Sequence, residues 1–285
     1  MTLREIHQHY LNSLLKIYNK GESVKITEMV LESIGGISKK DLIINGSQKA
    51  ETHILSELET ALHRLMLHEP VQYITGEAWF SGQSFAVNPF VLIPRPETEE
   101  LLLLAKNICI AHDYKNILDI GTGSGCIAIS LKNQLPSISM EAIDISEDAL
   151  KTAKFNALNL RADICFHELN FLESFAWCAL KKYDLIISNP PYIPQSEKAE
   201  MDKNVTAHEP HLALFVTDSE PLIFYETIVN FADEHLNTNG TMLMEIHELL
   251  GQEVIDLFAR KGYETKLIKD MMGKDRIVEA FTRLR

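Results

Sequence analysis

Apolar residues recur at helical spacing through the first seventy positions, then give way to short β-branched runs separated by helical stretches. Leu3, Ile6, Tyr10, Leu14 and Ile17 fall at three- and four-residue steps, the signature of one buried helix face, with Gly21 expected to end it. Val24, Met29, Val30 and Ile34 predict a second helix closed by Gly35-Gly36. Ile54, Leu55, Leu58, Leu62, Leu65 and Met66 predict a third, stopped before Pro70. From 71 to 93 the pattern shortens. Runs at 71–74, 78–80 and 85–87 are broken by Gly76, Gly82 and Pro89 and read as strands, a β-hairpin linking two domains. Pro94-Arg95-Pro96-Glu97-Thr98-Glu99 then opens a helix to about His112, its carboxylates suited to the first turn and Leu101, Leu104, Ala105 and Ile108 facing inward.

Beyond this point strands and helices alternate. Strands are expected at 116–120, 140–144, 164–168, 183–188, 241–246, 263–268 and 276–281. Helices are expected at 125–134, 146–159, 221–236 and 248–261. Such alternation means a parallel sheet covered on both faces. Met272-Gly273-Lys274-Asp275 is too short for a crossover, so the last strand should run antiparallel. The expected architecture is α/β: a seven-stranded, Rossmann-like sheet, preceded by a helical domain (1–70) and a hairpin linker (71–95), with the sheet domain spanning 96–285.

Two loops carry candidate chemistry. Asp119-Ile120-Gly121-Thr122-Gly123-Ser124-Gly125 follows the first strand of the sheet and opens a helix. Glycines let backbone approach a ligand, and a helix N-terminus offers free N–H groups. The Gly-x-Gly-x-Gly spacing misses the dinucleotide fingerprint. Asp144, at the end of the next strand, suits ribose hydroxyls. S-adenosylmethionine fits this set better than a dinucleotide, since it has a carboxylate and a ribose but no pyrophosphate. Asp119 either props the loop or meets the cofactor's amino group. Further on, Ser188-Asn189-Pro190-Pro191-Tyr192 ends an apolar strand. Prolines stop the ladder and stiffen the turn, so Asn189 is held at a strand tip beside open carbonyls and the ring of Tyr192. That arrangement suits gripping a planar amino group.

Net charge narrows the partners. At −13 over 285 residues, the chain is unsuited to broad binding of nucleic acid or anionic membrane. Lys181, Lys182, Lys198 and Lys203 are scattered among acids. Four cysteines show no metal-type spacing, and His247-Glu248 lacks a second histidine at helical spacing, so no metal is expected. The cysteine usage, with no apolar signal segment at the start, points to the cytoplasm.

Together, the glycine loop and Asn189-Pro190-Pro191-Tyr192 resemble the class I S-adenosylmethionine methyltransferases that act on planar amino groups. His68-Glu69-Pro70-Val71-Gln72-Tyr73-Ile74-Thr75-Gly76, Leu92-Ile93-Pro94-Arg95-Pro96-Glu97-Thr98-Glu99 and Glu209-Pro210 narrow the resemblance to the bacterial release-factor glutamine methyltransferases. The resemblance implies transfer of a methyl group to the side-chain amide nitrogen of the glutamine in a release factor's Gly-Gly-Gln loop, in support of translation termination. It implies cofactor binding by Gly121, Thr122, Gly123, Ser124, Gly125, Asp144, Asn170 and Asn189, and substrate binding by Asn189, Pro190, Pro191 and Tyr192. Catalysis would fall to Asn189, Pro190 and Tyr192. Where members often carry Asp-Trp near the adenine, this chain has Leu169-Asn170. The partner implied is a release factor; the chain is expected to be a monomer, and its N-terminal helices to recognise the substrate. No base is evident near the clamp, and His208-Glu209 reads as a loop anchor. Rival readings are an adenine or guanine amino methyltransferase with the same clamp, a cofactor-binding regulator without activity, and, more distantly, a dehydrogenase.

Overall fold

The computed structural model describes residues 1–282 and divides into two compact units, one of Met1–Glu77 with Asp202–His208, the other of Ala78–Met201 with the described residues from Glu209 onward. In the first unit α1 (Leu3–Leu14) starts from a reciprocal cap. Thr2 N donates to Glu5 Oε2 at 2.8 Å and Glu5 N to Thr2 Oγ1 at 3.3 Å. The helix ends at Leu14, and Gly21 lies inside α2 (Lys20–Ser33) instead of closing α1. Asn19 is the reason: its side chain accepts from Glu22 N at 3.0 Å and starts a new helix just ahead of the glycine. α3 (Lys39–Ile44) and α4 (Thr52–Met66) follow. The run at 71–74, expected as a strand, is a helix, α5 (Val71–Thr75). Pro70 starts it, where a missing N–H costs nothing, and Gly76 at φ 77° ends it. A four-residue apolar run fits either structure, and here packing against α2 and α4 decides. Tyr10, Leu14, Val30, Leu31, Leu58 and Leu65 make the core of this unit. The later helix α9 (Lys203–His208) belongs to it as well, with a His208 ring nitrogen 3.1 Å from the Leu67 carbonyl.

The second unit is built on the sheet. β1 (Glu77–Phe80) and β2 (Gln83–Ala86) pair across a two-residue turn, Ser81 and Gly82, both at positive φ. After α6 (Pro96–His112) the chain alternates through β3 (Asn116–Ile120), α7 (Cys126–Gln134), β4 (Ser139–Asp144), α8 (Glu147–Asn159), β5 (Cys165–Glu168) and β6 (Tyr183–Ser188). β7 (Ile193–Pro194) and β8 (Phe215–Val216) form a small separate pair. α10 (Ile223–His235), β9 (Leu236–Glu245), α11 (Gly251–Arg260), β10 (Tyr263–Lys269) and β11 (Asp275–Thr282) complete the unit. The seven strands lie in the order β10-β11-β9-β6-β3-β4-β5. β11 runs antiparallel to both neighbours, and β9, β6, β3, β4 and β5 pair in parallel. Neighbouring residues point to opposite layers: Leu118, Ile186 and Met242 into one core, Ile117, Leu185 and Leu243 into the other. That two-sided burial explains the unbroken apolar strands. Among the described residues no helix is long and apolar enough to cross a membrane.

Candidate active site

Strand order reverses at β3. The chain steps from β3 to β4 to β5 on one side, then returns to lay β6 on the other. Such a switch point opens a crevice at the carboxyl ends of the strands. Register puts the two candidate loops there side by side. Ile120 is the strand partner of Ser188, whose Oγ donates to Ile120 O at 2.8 Å, so Gly121 and Asn189 are the next residues on adjacent strands. Met244 is the partner of Ser188 on the other side, which brings Glu245 beside Asn189.

The glycine loop is bent by positive φ at Gly121, Gly123 and Gly125. A Cβ at Gly125 would come within 2.8 Å of Ile129 Cδ1, whereas Cβ atoms at Gly121 or Gly123 would meet only open space. Gly125 is therefore needed for close helix packing, and the other two keep room for a ligand. Gly123 N and Ser146 N each donate to Asp144, at 2.9 Å, one to each carboxylate oxygen. Thr122 Oγ1 donates to Asp119 Oδ2 at 2.7 Å. Asp119 thus props the loop, while its Oδ1 and the buried Ser124 Oγ have no hydrogen-bond partner among the described residues. Burial pushes the Asp119 carboxyl up to about 7, against the Thr122 hydrogen bond and with help from the Asp144 charge. Burial likewise raises Asp144.

A cleft of about 570 Å³, open to solvent, is lined by Gly121, Asp144, Asn170, Pro190 and Pro191, with apolar walls from Ile145, Leu169, Phe171, Leu212 and Phe224. Thr122, Gly123, Ser124 and Gly125 follow Gly121 in the loop and are not among the lining residues. Asn170 is held by its own turn: Oδ1 accepts from Leu172 N at 3.2 Å and Nδ2 donates to Glu173 at 2.9 Å. Leu169 packs against the core beside it. Half-buried Asn189 and Tyr192 flank the cleft without lining it, although Ser188, Pro190 and Pro191 do line it. The residues present fit an adenosine-type cofactor. Its ribose would meet Asp144 and its flat base the apolar walls.

Three residues around Asn189, namely Thr98, Glu245 and Arg276, were given no role by the sequence. Asn189 Nδ2 donates to Thr98 Oγ1 at 3.1 Å, Thr98 Oγ1 to Glu245 Oε2 at 2.8 Å, and Tyr192 OH to Glu245 Oε1 at 3.0 Å. Arg276, whose guanidinium pairs with Asp270 Oδ2 at 3.2 Å and reaches Glu248 at 3.8 Å, is near enough for its charge to act on Glu245. Burial raises the Glu245 carboxyl. Thr98, Tyr192 and Arg276 pull against that rise, and Glu97 adds to it. Burial and the Glu245 charge raise the Tyr192 phenol, which stays a donor. Thr98 lies in the 92–99 stretch already singled out, and the signal for Glu245 was an acid closing the apolar run Met242-Leu243-Met244. Glu209 is an anchor, accepting from Arg95 Nη2 at 2.6 Å and from Ile93 N at 3.2 Å.

Comparison with known proteins shows which sequences and folds the chain is similar to. A family profile described as Methyltransferase small domain matches residues 101–210, and one described as PrmC N-terminal domain matches residues 8–76. The chain is 41% identical to the release factor glutamine methyltransferase of Flavobacterium psychrophilum, over 98% of this chain and 99% of that one. It is 40% identical to the protein of the same name from Bacteroides thetaiotaomicron, over 98% and 99%. A crystal structure of a methyltransferase from Pyrococcus furiosus superposes with a TM-score of 0.51 at 16% identity, covering 72% of this chain and 91% of that one, and shares the sheet fold.

Proposed function

The chain belongs to the release factor glutamine methyltransferase family, and from that premise we propose that it methylates the side-chain amide nitrogen of the glutamine in the Gly-Gly-Gln loop of peptide chain release factors. What carries this reading is the register that sets the glycine loop and the Asn189 turn on adjacent strand tips beside one cleft. When bound, S-adenosylmethionine supplies a methyl group already activated on a sulfonium.

The chain's own residues bind and orient. Gly121, Asp144 and Asn170 hold the cofactor from the cleft lining, with Thr122, Gly123, Ser124 and Gly125 completing the loop after Gly121. Amide nitrogen is a weak nucleophile because its lone pair is shared with the carbonyl. Asn189 Oδ1 and the Pro190 carbonyl accept from its two N–H groups, aim the nitrogen and stabilise the positive charge that develops on it. Pro191 stiffens the turn, and Tyr192 packs against the amide plane. Methyl transfer would break the cofactor's methyl–sulfur bond as the N–C bond forms, leaving a neutral thioether, and the substrate nitrogen would give its proton to water. The first unit, residues 1–70 above all, recognises the release factor, and 71–95 link it to the methyltransferase domain, 96–285. The enzyme works in the cytoplasm as a monomer, in support of translation termination.

The nucleic-acid alternative is disfavoured by the net charge and by the names of the relatives. Mass spectrometry of release-factor peptides, after incubation with enzyme and labelled cofactor, tests the reading. One labelled methyl is expected on the glutamine of the Gly-Gly-Gln peptide. An unlabelled glutamine beside a labelled RNA control would overturn it.

A further inference from the structure

Asn189, Thr98 and Glu245 form a chain of hydrogen bonds with a direction. Each Glu245 oxygen takes a hydroxyl, Oε2 from Thr98 and Oε1 from Tyr192, so the carboxylate serves as an acceptor on both sides. The single hydroxyl proton of Thr98 goes to Glu245 Oε2 at 2.8 Å. On its other side Thr98 Oγ1 must accept, and it does so from Asn189 Nδ2 at 3.1 Å. A primary amide can present its NH2 or its oxygen in almost the same shape, and only its partners choose between them. Here the chain of bonds assigns the NH2 to Thr98. Asn189 Oδ1 is left facing away, with no hydrogen-bond partner among the described residues. The other Glu245 oxygen takes the Tyr192 hydroxyl, so one buried carboxylate sets both the amide and the ring.

We infer that Thr98 and Glu245 are positioning residues that fix the amide polarity of Asn189, so that the site selects a group that donates N–H, a carboxamide, and rejects one that only accepts, a carboxylate. This rests on the reading of Asn189 as the substrate clamp. With glutamine at 245, an N–H can be offered to Thr98, Thr98 can donate to Asn189, and the amide is free to reverse. Its NH2 would then face the substrate.

The test uses the full chain with purified release factor carrying glutamine or glutamate at the target position. T98V and E245Q are expected to lower kcat about 10–100-fold, as misorientation of a reacting group does, with cofactor affinity by calorimetry unchanged. T98S keeps the hydroxyl and restores most of the turnover lost in T98V. E245Q is expected to bind the glutamate-bearing release factor about tenfold more tightly than the wild type does, through a charge-assisted hydrogen bond. T98V matching T98S in turnover, or no gain of affinity for the glutamate form in E245Q, overturns the inference. N189A separates the two levels. If it methylates at the wild-type rate, the clamp itself fails. If N189A is crippled while T98V and E245Q are not, only the polarity assignment falls.

Discussion

Buried at the tip of β3, Asp119 has one oxygen bonded to Thr122 and the other unpaired. Its carboxyl rises from an ordinary 3.8 to about 7. Between those values the folded protein holds a proton that the unfolded chain has released, so this group's contribution to stability falls as pH rises through that window. Asp119→Asn keeps an acceptor for Thr122 and cannot ionise. Relative to wild type, it is expected to gain roughly 1–4 kcal/mol between pH 4 and pH 8, read by denaturant unfolding at both values. A constant difference between the two pH values would show that Asp119 does not titrate in this range. The residue types were legible here, because a glycine loop after a strand and an asparagine before two prolines are unusual. Which oxygens are left unpaired was not, since that depends on groups packed around them.

The prolines at 94 and 96 stiffen the entry to α6, but Glu209 holds it. Its carboxylate is buried, with side-chain exposure of 1%, and it accepts both the Arg95 guanidinium and the Ile93 N–H. Removing the carboxylate strands a guanidinium and a backbone donor together. Glu209→Ala is therefore expected to cost roughly 2–4 kcal/mol of stability, seen as a lower melting temperature. A melt within error of wild type would mean that the segment finds other acceptors. At this scale the strands of the sheet were legible from their two-sided apolar runs. The short pieces were not. Val71–Thr75 is a helix because α2 and α4 pack on it, and Gly21 sits inside α2 because Asn19 caps ahead of it. Periodicity over four or five residues does not distinguish these outcomes.

Over the whole molecule, the charge of −13 opposes phosphate-tracking surfaces. Label transfer to ribosomal RNA or DNA is expected to stay at background at low salt. Methylation of release factor should change by less than about tenfold between 50 and 200 mM salt, against the 10³–10⁵-fold loss typical of proteins that neutralise many phosphates. A steep fall would point to a nucleic-acid component in recognition. By itself, the sequence determined the α/β alternation, the antiparallel last strand and the two loops that carry chemistry, because these follow from local periodicity and from what glycine and proline do to backbone. Only the tertiary structure decided which side chains support Asn189. Thr98 lies 91 positions from Asn189 and 147 from Glu245, and they meet because parallel strand register and the seat of α6 bring them to one end of the sheet.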